Sequence, residues 1–323
     1  MKRIYVSLIT IITVAAIVIS AIIILEELRQ KRFSAFVVYS PYEIPNRQNP
    51  EQNFSLFLAD LDLVKDMGFD GVKLHDVWNF WNDSLLDQAV TEMANRDLKV
   101  IIQFYCYDAQ LFPQNTSRTD DHIRFFRSAA TILKDNDNVL WYALFYPWHW
   151  PHRYNYIENN LTSSAYQWEL QRIIDDIKEV DPETPIYLVS QSIEYYGGDP
   201  PHTLTKIAGF GYHPYSRETN NIQADDMIRE YYNYWKGQAK TRDLGVYIDE
   251  WGVQTEKSKK EGFASSEDEK ADMIADFVDY IYTWDIVWCY FALHDTSESD
   301  WGLVYTDNTL KKSGEIMKNL LND

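Results

Sequence analysis

The segment Val246-Tyr247-Ile248-Asp249-Glu250-Trp251-Gly252 sets a carboxylate, Glu250, at the end of an apolar run that begins at Leu244. That run is short and rich in β-formers, the pattern of a strand buried on both faces of a parallel sheet. A carboxylate emerging there is a candidate nucleophile, with Trp251 as an aromatic wall beside it and Gly252 turning the chain away. The plainer reading is an acidic cap on the following loop. Other runs end in residues of similar promise. His75 and Asp76 follow one, Tyr105, Tyr107 and Asp108 end another, and Tyr146 follows a third, with Trp148, His149 and Trp150 next between Pro147 and Pro151. Gly209 to Tyr212 leads into His213 and Tyr215, and Val287 to Ala292 into His294 and Asp295. Each also has a structural reading, as a hydrogen-bonded pair or an aromatic packed on a neighbouring helix.

The elements that must position these residues alternate. Strands are predicted near Ala35 to Tyr39, Gly71 to Leu74, Lys99 to Tyr105, Val139 to Phe145, Ile186 to Ser190, Gly209 to Tyr212, Gly245 to Ile248 and Val287 to Ala292. Between them, amphipathic stretches predict helices over Phe54 to Met67, Leu85 to Asn95, Asp121 to Lys134, Ser164 to Val180, Ala224 to Ala239 and Ser266 to Tyr282. Eight such strands with intervening helices spell a (β/α)8 barrel, whose strands aim their carboxyl ends at one face where active sites are built.

Composition bounds the partners. The 323 residues carry a net charge of −19, which excludes a phosphate-neutralising surface and with it nucleic acid. Aromatics are abundant, with 11 Trp, 23 Tyr and 15 Phe, rings suited both to a core and to stacking on sugar faces. Ile4 to Leu25 is apolar except for Ser7, Thr10, Thr13 and Ser20, is long enough to span a bilayer, and follows Lys2 and Arg3 without an Ala-x-Ala cleavage site. The expectation is a signal anchor over residues 1–32, with residues 33–323 as one barrel domain outside the cell. Arg29, Lys31 and Arg32 beyond the span compete in setting its orientation. Sequons at Asn53, Asn82, Asn115 and Asn160 are compatible with export. Cys106 and Cys289 fall in predicted strand regions and read as buried apolar residues, so neither a disulfide, a metal site nor a cofactor is expected.

From Phe33 onward the chain resembles the retaining glycoside hydrolases built on this barrel, closest to the cellulase-like family 5. Gly68-Phe69-Asp70-Gly71-Val72-Lys73-Leu74 resembles that family's second strand, with Lys73 where an Arg is common. Gly209 to Ser216 is similar to the sixth-strand segment and implicates His213 and Tyr215, while the Val246 to Gly252 segment resembles the seventh-strand nucleophile segment and implicates Glu250. Val287 to Asp295, Trp301 to Val304 and Thr309 to Lys312 resemble the eighth strand and closing helix. The resemblance implies a carbohydrate substrate with β-linkages.

Retention needs a second carboxyl about 5 Å from the nucleophile to protonate the leaving oxygen and activate water, and inversion one about 6.5 to 9.5 Å away. The family places it after an Asn at the end of the fourth strand. Here the text reads Ala143-Leu144-Phe145-Tyr146-Pro147, and the Asn-Glu pair is missing. Another strand end supplies the acid, with Asp76, Asp108, Glu194 and Asp295 as candidates; or His149 or Tyr146 moves the proton; or the barrel binds glycans without cutting them. A tethered assembly partner is a further class, marked by an apolar exterior patch. Substrate contacts are expected from His213, Tyr215, Trp251, His75, Tyr105, Tyr146, Trp148 and His294. Glu250 buried in a salt bridge, or pointing outward beneath the ring, is the arrangement that would overturn this reading.

Overall fold

A computed structural model describes residues 34–40, 49, 51–75, 82–105, 116–145, 163–190, 204–214, 225–255, 264–282, 284, 286–296 and 300–322. The expected anchor, Cys106, Asn115 and Asn160 lie outside these residues, as do Asp76, Tyr107, Asp108, Tyr146, Trp148, His149, Trp150, Glu194 and Tyr215. No helix among the described residues is long and apolar enough to cross a membrane.

The strands are β1 (Ala35–Tyr39), β2 (Gly71–Leu74), β3 (Lys99–Tyr105), β4 (Val139–Phe145), β5 (Ile186–Ser190), β6 (Gly209–Tyr212), β7 (Gly245–Trp251) and β8 (Trp288–Tyr290). The described helices are α1 (Phe54–Asp66), α2 (Asp83–Ala94), α3 (Thr116–Leu133), α4 (Ser163–Val180), α5 (Asp225–Lys240), α6 (Glu267–Ile281) and α7 (Lys312–Asn322). Every strand pairs in parallel with its sequence neighbour, and β1 pairs with β8 to close the ring. Helix starts carry their own signals: Asn82 caps α2 by accepting the Leu85 amide at 2.9 Å, and Ser266 caps α6 by accepting that of Glu269 at 3.2 Å.

Side chains alternate across each strand, which divides the core in two. The outward set, including Val37, Val72, Ile102, Tyr142, Leu188, Phe210 and Ile248, packs against the helices. The inward set fills the lumen with Phe36, Val38, Ile101, Trp141, Ala143, Phe145, Val189, Tyr247 and Cys289. Large rings fit there because β6 contributes glycine: a Cβ on Gly211 would lie 2.5 Å from the Tyr247 ring. The lumen is thus solid below and turns polar toward the carboxyl ends, where Lys73, Gln103, Asp249, His75, Glu250 and His213 are buried.

Two strands differ from the sequence expectation. β7 runs on through Asp249 and Glu250 to Trp251, because the register slips between Ile248 and Trp251 and the bulge keeps the chain in the sheet. β8 holds only Trp288–Tyr290, and the apolar residues Phe291 and Ala292 leave the ladder.

Candidate active site

The β7 bulge shapes the site. Ile248 pairs with Trp288 and Trp251 with Tyr290, so β7 spends one residue more than β8 over the same interval. Tyr247 faces inward, and the extra residue lets the consecutive side chains of Asp249 and Glu250 reach one partner in the lumen, the Lys73 ammonium of β2. Lys73 Nζ donates to Asp249 Oδ2 at 2.5 Å and to the Asp249 carbonyl at 3.2 Å. It donates to Glu250 Oε1 at 2.8 Å. Tyr247 donates its hydroxyl to Asp249 Oδ1.

His213, directly after β6, completes the group. Its Nε2 lies 2.7 Å from Asp249 Oδ2 and its Nδ1 lies 3.6 Å from Glu250 Oε2. An ionised carboxylate only accepts, so Asp249 requires the proton of His213 on Nε2 and turns Nδ1 toward Glu250. Phe145, the last residue of β4, stacks on the His213 ring with centroids 5.8 Å apart. His75, after β2, places Nε2 3.6 Å from Glu250 Oε1.

These neighbours set the protonation states. Burial works against a charged Asp249, but Lys73 and His213 outweigh it and hold its pKa well below the usual carboxylate range. Burial likewise opposes a charged Glu250, and His213, Lys73 and His75 together overcome it, so its pKa is also lowered. Lys73 is fully buried, which disfavours its ammonium, yet the two carboxylates raise its pKa above the ordinary value. Glu250 is therefore buried and ion-paired, the feature that the sequence reading set against a catalytic role. The pairing is uneven: Lys73 and His75 both engage Oε1, Oε2 lies 3.6 Å from His213 Nδ1, and the side chain keeps 10% exposure where that of Asp249 keeps 0%. Glu250 lies at the carboxyl end of a barrel strand, above the packed lumen and not beneath it.

His213, Asp249 and Glu250 offer ligand atoms within 4.8 Å of one another, a spacing that suits a cation. The Lys73 ammonium already bridges the two carboxylates, so a metal ion there would meet direct repulsion.

Glu250, His213 and His75 lie together, whereas two other residues require correction. Trp251 is no wall of the site: it is fully buried against Phe277, Trp288 and Tyr290 in the layer between barrel and helices. The bulge spends two consecutive residues on the lumen, and the third turns outward. His294 is no substrate contact, being fully buried with Nε2 3.0 Å from Asp60 Oδ1 on α1. Asp60 also accepts from Tyr39 and Asn308, so this cluster ties β1 and the chain after β8 to a helix. Asp295 is taken up by Lys311 at 2.6 Å and by the Gly302 amide at 2.9 Å, the role of a loop brace. Tyr105 ends β3.

Asp249 was missed by sequence reasoning. The signal that finds it is Lys73, a lysine within the short buried strand Gly71–Leu74, because a charge inside a barrel demands a counter-charge.

No protein-family model and no curated protein matches the chain. Among solved structures it is similar to a GH5_18 protein of Streptomyces cattleya in complex with Manβ1-4GlcNAc, at 16% identity and TM-score 0.70, covering 90% of this chain and 80% of that one. It is similar to Cel5A of Thermotoga maritima in complex with mannotriose, at 13% identity and TM-score 0.61, covering 91% and 98%. A third is the exo-β-1,4-mannosidase Op5Man5 of Opitutaceae bacterium strain TAV5, at 16% identity and TM-score 0.64, covering 90% of this chain and 59% of that protein. The likeness is one of fold. This chain has the parallel eight-stranded barrel found in glycoside hydrolases.

Proposed function

We propose that the chain is a membrane-anchored glycoside hydrolase acting on extracellular carbohydrate with β-linkages, and that Glu250 is its nucleophile. The observation that carries this reading is the state of Glu250: a carboxylate at the carboxyl end of a barrel strand, kept ionised by Lys73, His213 and His75. An ionised carboxylate is what attack on an anomeric carbon needs. The barrels of similar fold, one crystallised with Manβ1-4GlcNAc, one with mannotriose and one named an exo-β-1,4-mannosidase, make β-mannosides the first substrates to offer. His75 and His213 flank the nucleophile, and Tyr105, Tyr146, Trp148 and Tyr215 are proposed to line the sugar. The acid/base is not assigned; Asp76, Asp108, Glu194 and His149 are its candidates.

A second reading, glycan binding without cleavage, rests on the text after β4, where Phe145 is followed by Tyr146 and Pro147 without a carboxylate. The two are separated by offering the full-length protein in detergent p-nitrophenyl β-mannoside, p-nitrophenyl β-glucoside and β-mannan, with Glu250→Ala as control. The hydrolase reading expects release that falls by about a thousandfold or more in the variant. Equal release by both proteins removes Glu250 from the mechanism. Mannan binding with no release by either selects the binding reading.

A further inference from the structure

Glu250 and Asp249 share one lysine, and the sharing is unequal. Asp249 lies 2.5 Å from Lys73 Nζ and is wholly buried, and its own backbone carbonyl accepts from the same ammonium at 3.2 Å. Glu250 lies 2.8 Å away, through one oxygen, and is the less deeply buried of the two. The remaining bonds to Asp249 come from below and beside it, Tyr247 to Oδ1 and His213 Nε2 to Oδ2. Asp249 is thus fixed on three sides in the lumen, while Glu250 is approached by Lys73, His213 and His75.

A lone carboxylate beside a buried lysine would be a poor nucleophile. The ammonium, unable to reach water, would draw on that carboxylate alone, and attack on an electrophile would have to break a buried ion pair. A second, deeper carboxylate changes this. One ammonium set against two carboxylates leaves one negative charge over, and the shorter, more buried contact settles where the lysine spends its own. The surplus falls on Glu250, the less buried carboxylate with the longer contact.

We propose that Asp249 is a positioning residue for Glu250: it serves as the main counter-ion of Lys73 and holds His213 by Nε2, so that Glu250 carries the uncompensated negative charge of the site. The assignment rests on the reading of Glu250 as nucleophile for its purpose, and on the ion-pair geometry for its substance. The groups that face this pair are Lys73 and His75 from β2 and its end, His213 after β6, Tyr247 from β7 and the buried thiol of Cys289 from β8. Only Lys73 is an obligate cation. Its titration therefore reports which carboxylate it depends on.

The test follows the Lys73 titration by 13C NMR in the full-length protein in detergent, carrying 13Cε-lysine, with the resonance assigned by its loss in Lys73→Gln. Asp249→Asn and Glu250→Gln are then compared. Asp249→Asn is expected to lower the Lys73 midpoint by roughly one to three units, and Glu250→Gln by clearly less. An equal or larger drop in Glu250→Gln overturns the assignment, and so does a lysine that stays charged to the same pH in both variants. A second readout traps the nucleophile with 2-deoxy-2-fluoro-β-D-mannosyl fluoride and 2-deoxy-2-fluoro-β-D-glucosyl fluoride, scored by intact mass and peptide mapping. Asp249→Asn is expected to slow labelling of Glu250 at least tenfold, and the double variant Lys73→Gln, Asp249→Asn, which restores the surplus charge, to recover most of it. No recovery in a folded double variant also overturns the assignment. Wild-type protein that takes no label on Glu250 counts against the nucleophile reading alone, because the lysine titration needs no turnover.

Discussion

Asp249 and Glu250 are neighbours in sequence with different surroundings, and the difference decides what each can do. Asp249 has Tyr247, His213 and Lys73 on its two oxygens and no exposure, so it stabilises charge without meeting solvent. Glu250 shares Lys73 but keeps a trace of exposure, 10% of its side chain. For Asp249 the folded pKa is depressed, so the stabilisation it lends is complete above the unfolded value and is lost as pH falls through the lower folded one. Between pH 5 and 7 the wild-type pair is therefore constant. Lys73→Met removes that constancy, because two buried carboxylates then face each other without a counter-ion and one is driven to take a proton. The variant is expected to lose about 3 to 5 kcal/mol at pH 7. The loss should shrink at pH 5, where protonating one carboxylate costs less. Urea unfolding of both proteins at the two pH values measures this, and a deficit that does not change with pH would mean that the carboxylates find other partners.

Much of the fold is legible at the scale of elements, because each strand is an apolar run bounded by punctuation and each helix shows an apolar stripe. Glu250, His213 and His75 are legible for the same reason, each following such a run. What the pattern hides is direction. Trp251 and His294 also follow apolar runs, but a one-residue bulge turns the first toward the helices, and the second swings onto Asp60 of α1. Neither turn has a sequence signal, since both are set by partners far along the chain. Lys270 shows the same limit. It sits on α6 among acids, yet it is fully buried and donates to the carbonyls of Asp300 at 2.7 Å and Gly302 at 2.9 Å. It thereby pins the chain after β8 to α6. Burial, then the nearby Lys311, lower its pKa to about 8. With the folded value below the unfolded one, the cost of holding the ammonium is fully present below pH 8 and is relieved as pH rises toward the unfolded value. Relative to Lys270→Met, wild-type stability is therefore expected to gain up to about 3 kcal/mol between pH 8 and 10.5. Chemical denaturation of the two proteins at pH 7 and pH 10 checks the sign, and a gap that narrows in the opposite direction would show that Lys270 titrates elsewhere.

At the scale of the molecule, the ring closes within the described residues. β1 begins at Ala35 and pairs on one side with β2 and on the other with β8, so the described strands close the ring among themselves. The apolar run from Ile4 to Leu25 has the length that the proposed anchor needs. The two parts differ in kind. A spanning helix is held by the transfer of about 20 apolar residues into hydrocarbon, which neither salt nor alkali reverses. A barrel in a chain with a net charge of −19 would be repelled by an anionic membrane surface and has no electrostatic reason to stay there. The full-length chain is therefore expected in the pellet after high-salt washing and alkaline carbonate extraction of membranes, and in the soluble fraction only after detergent. Residues 33–323 expressed alone should appear in the supernatant with the far-ultraviolet dichroism of an α/β barrel. Full-length protein released by carbonate would remove the spanning helix from the proposal. A shortened chain that still pellets with membranes would place the attachment on the barrel itself.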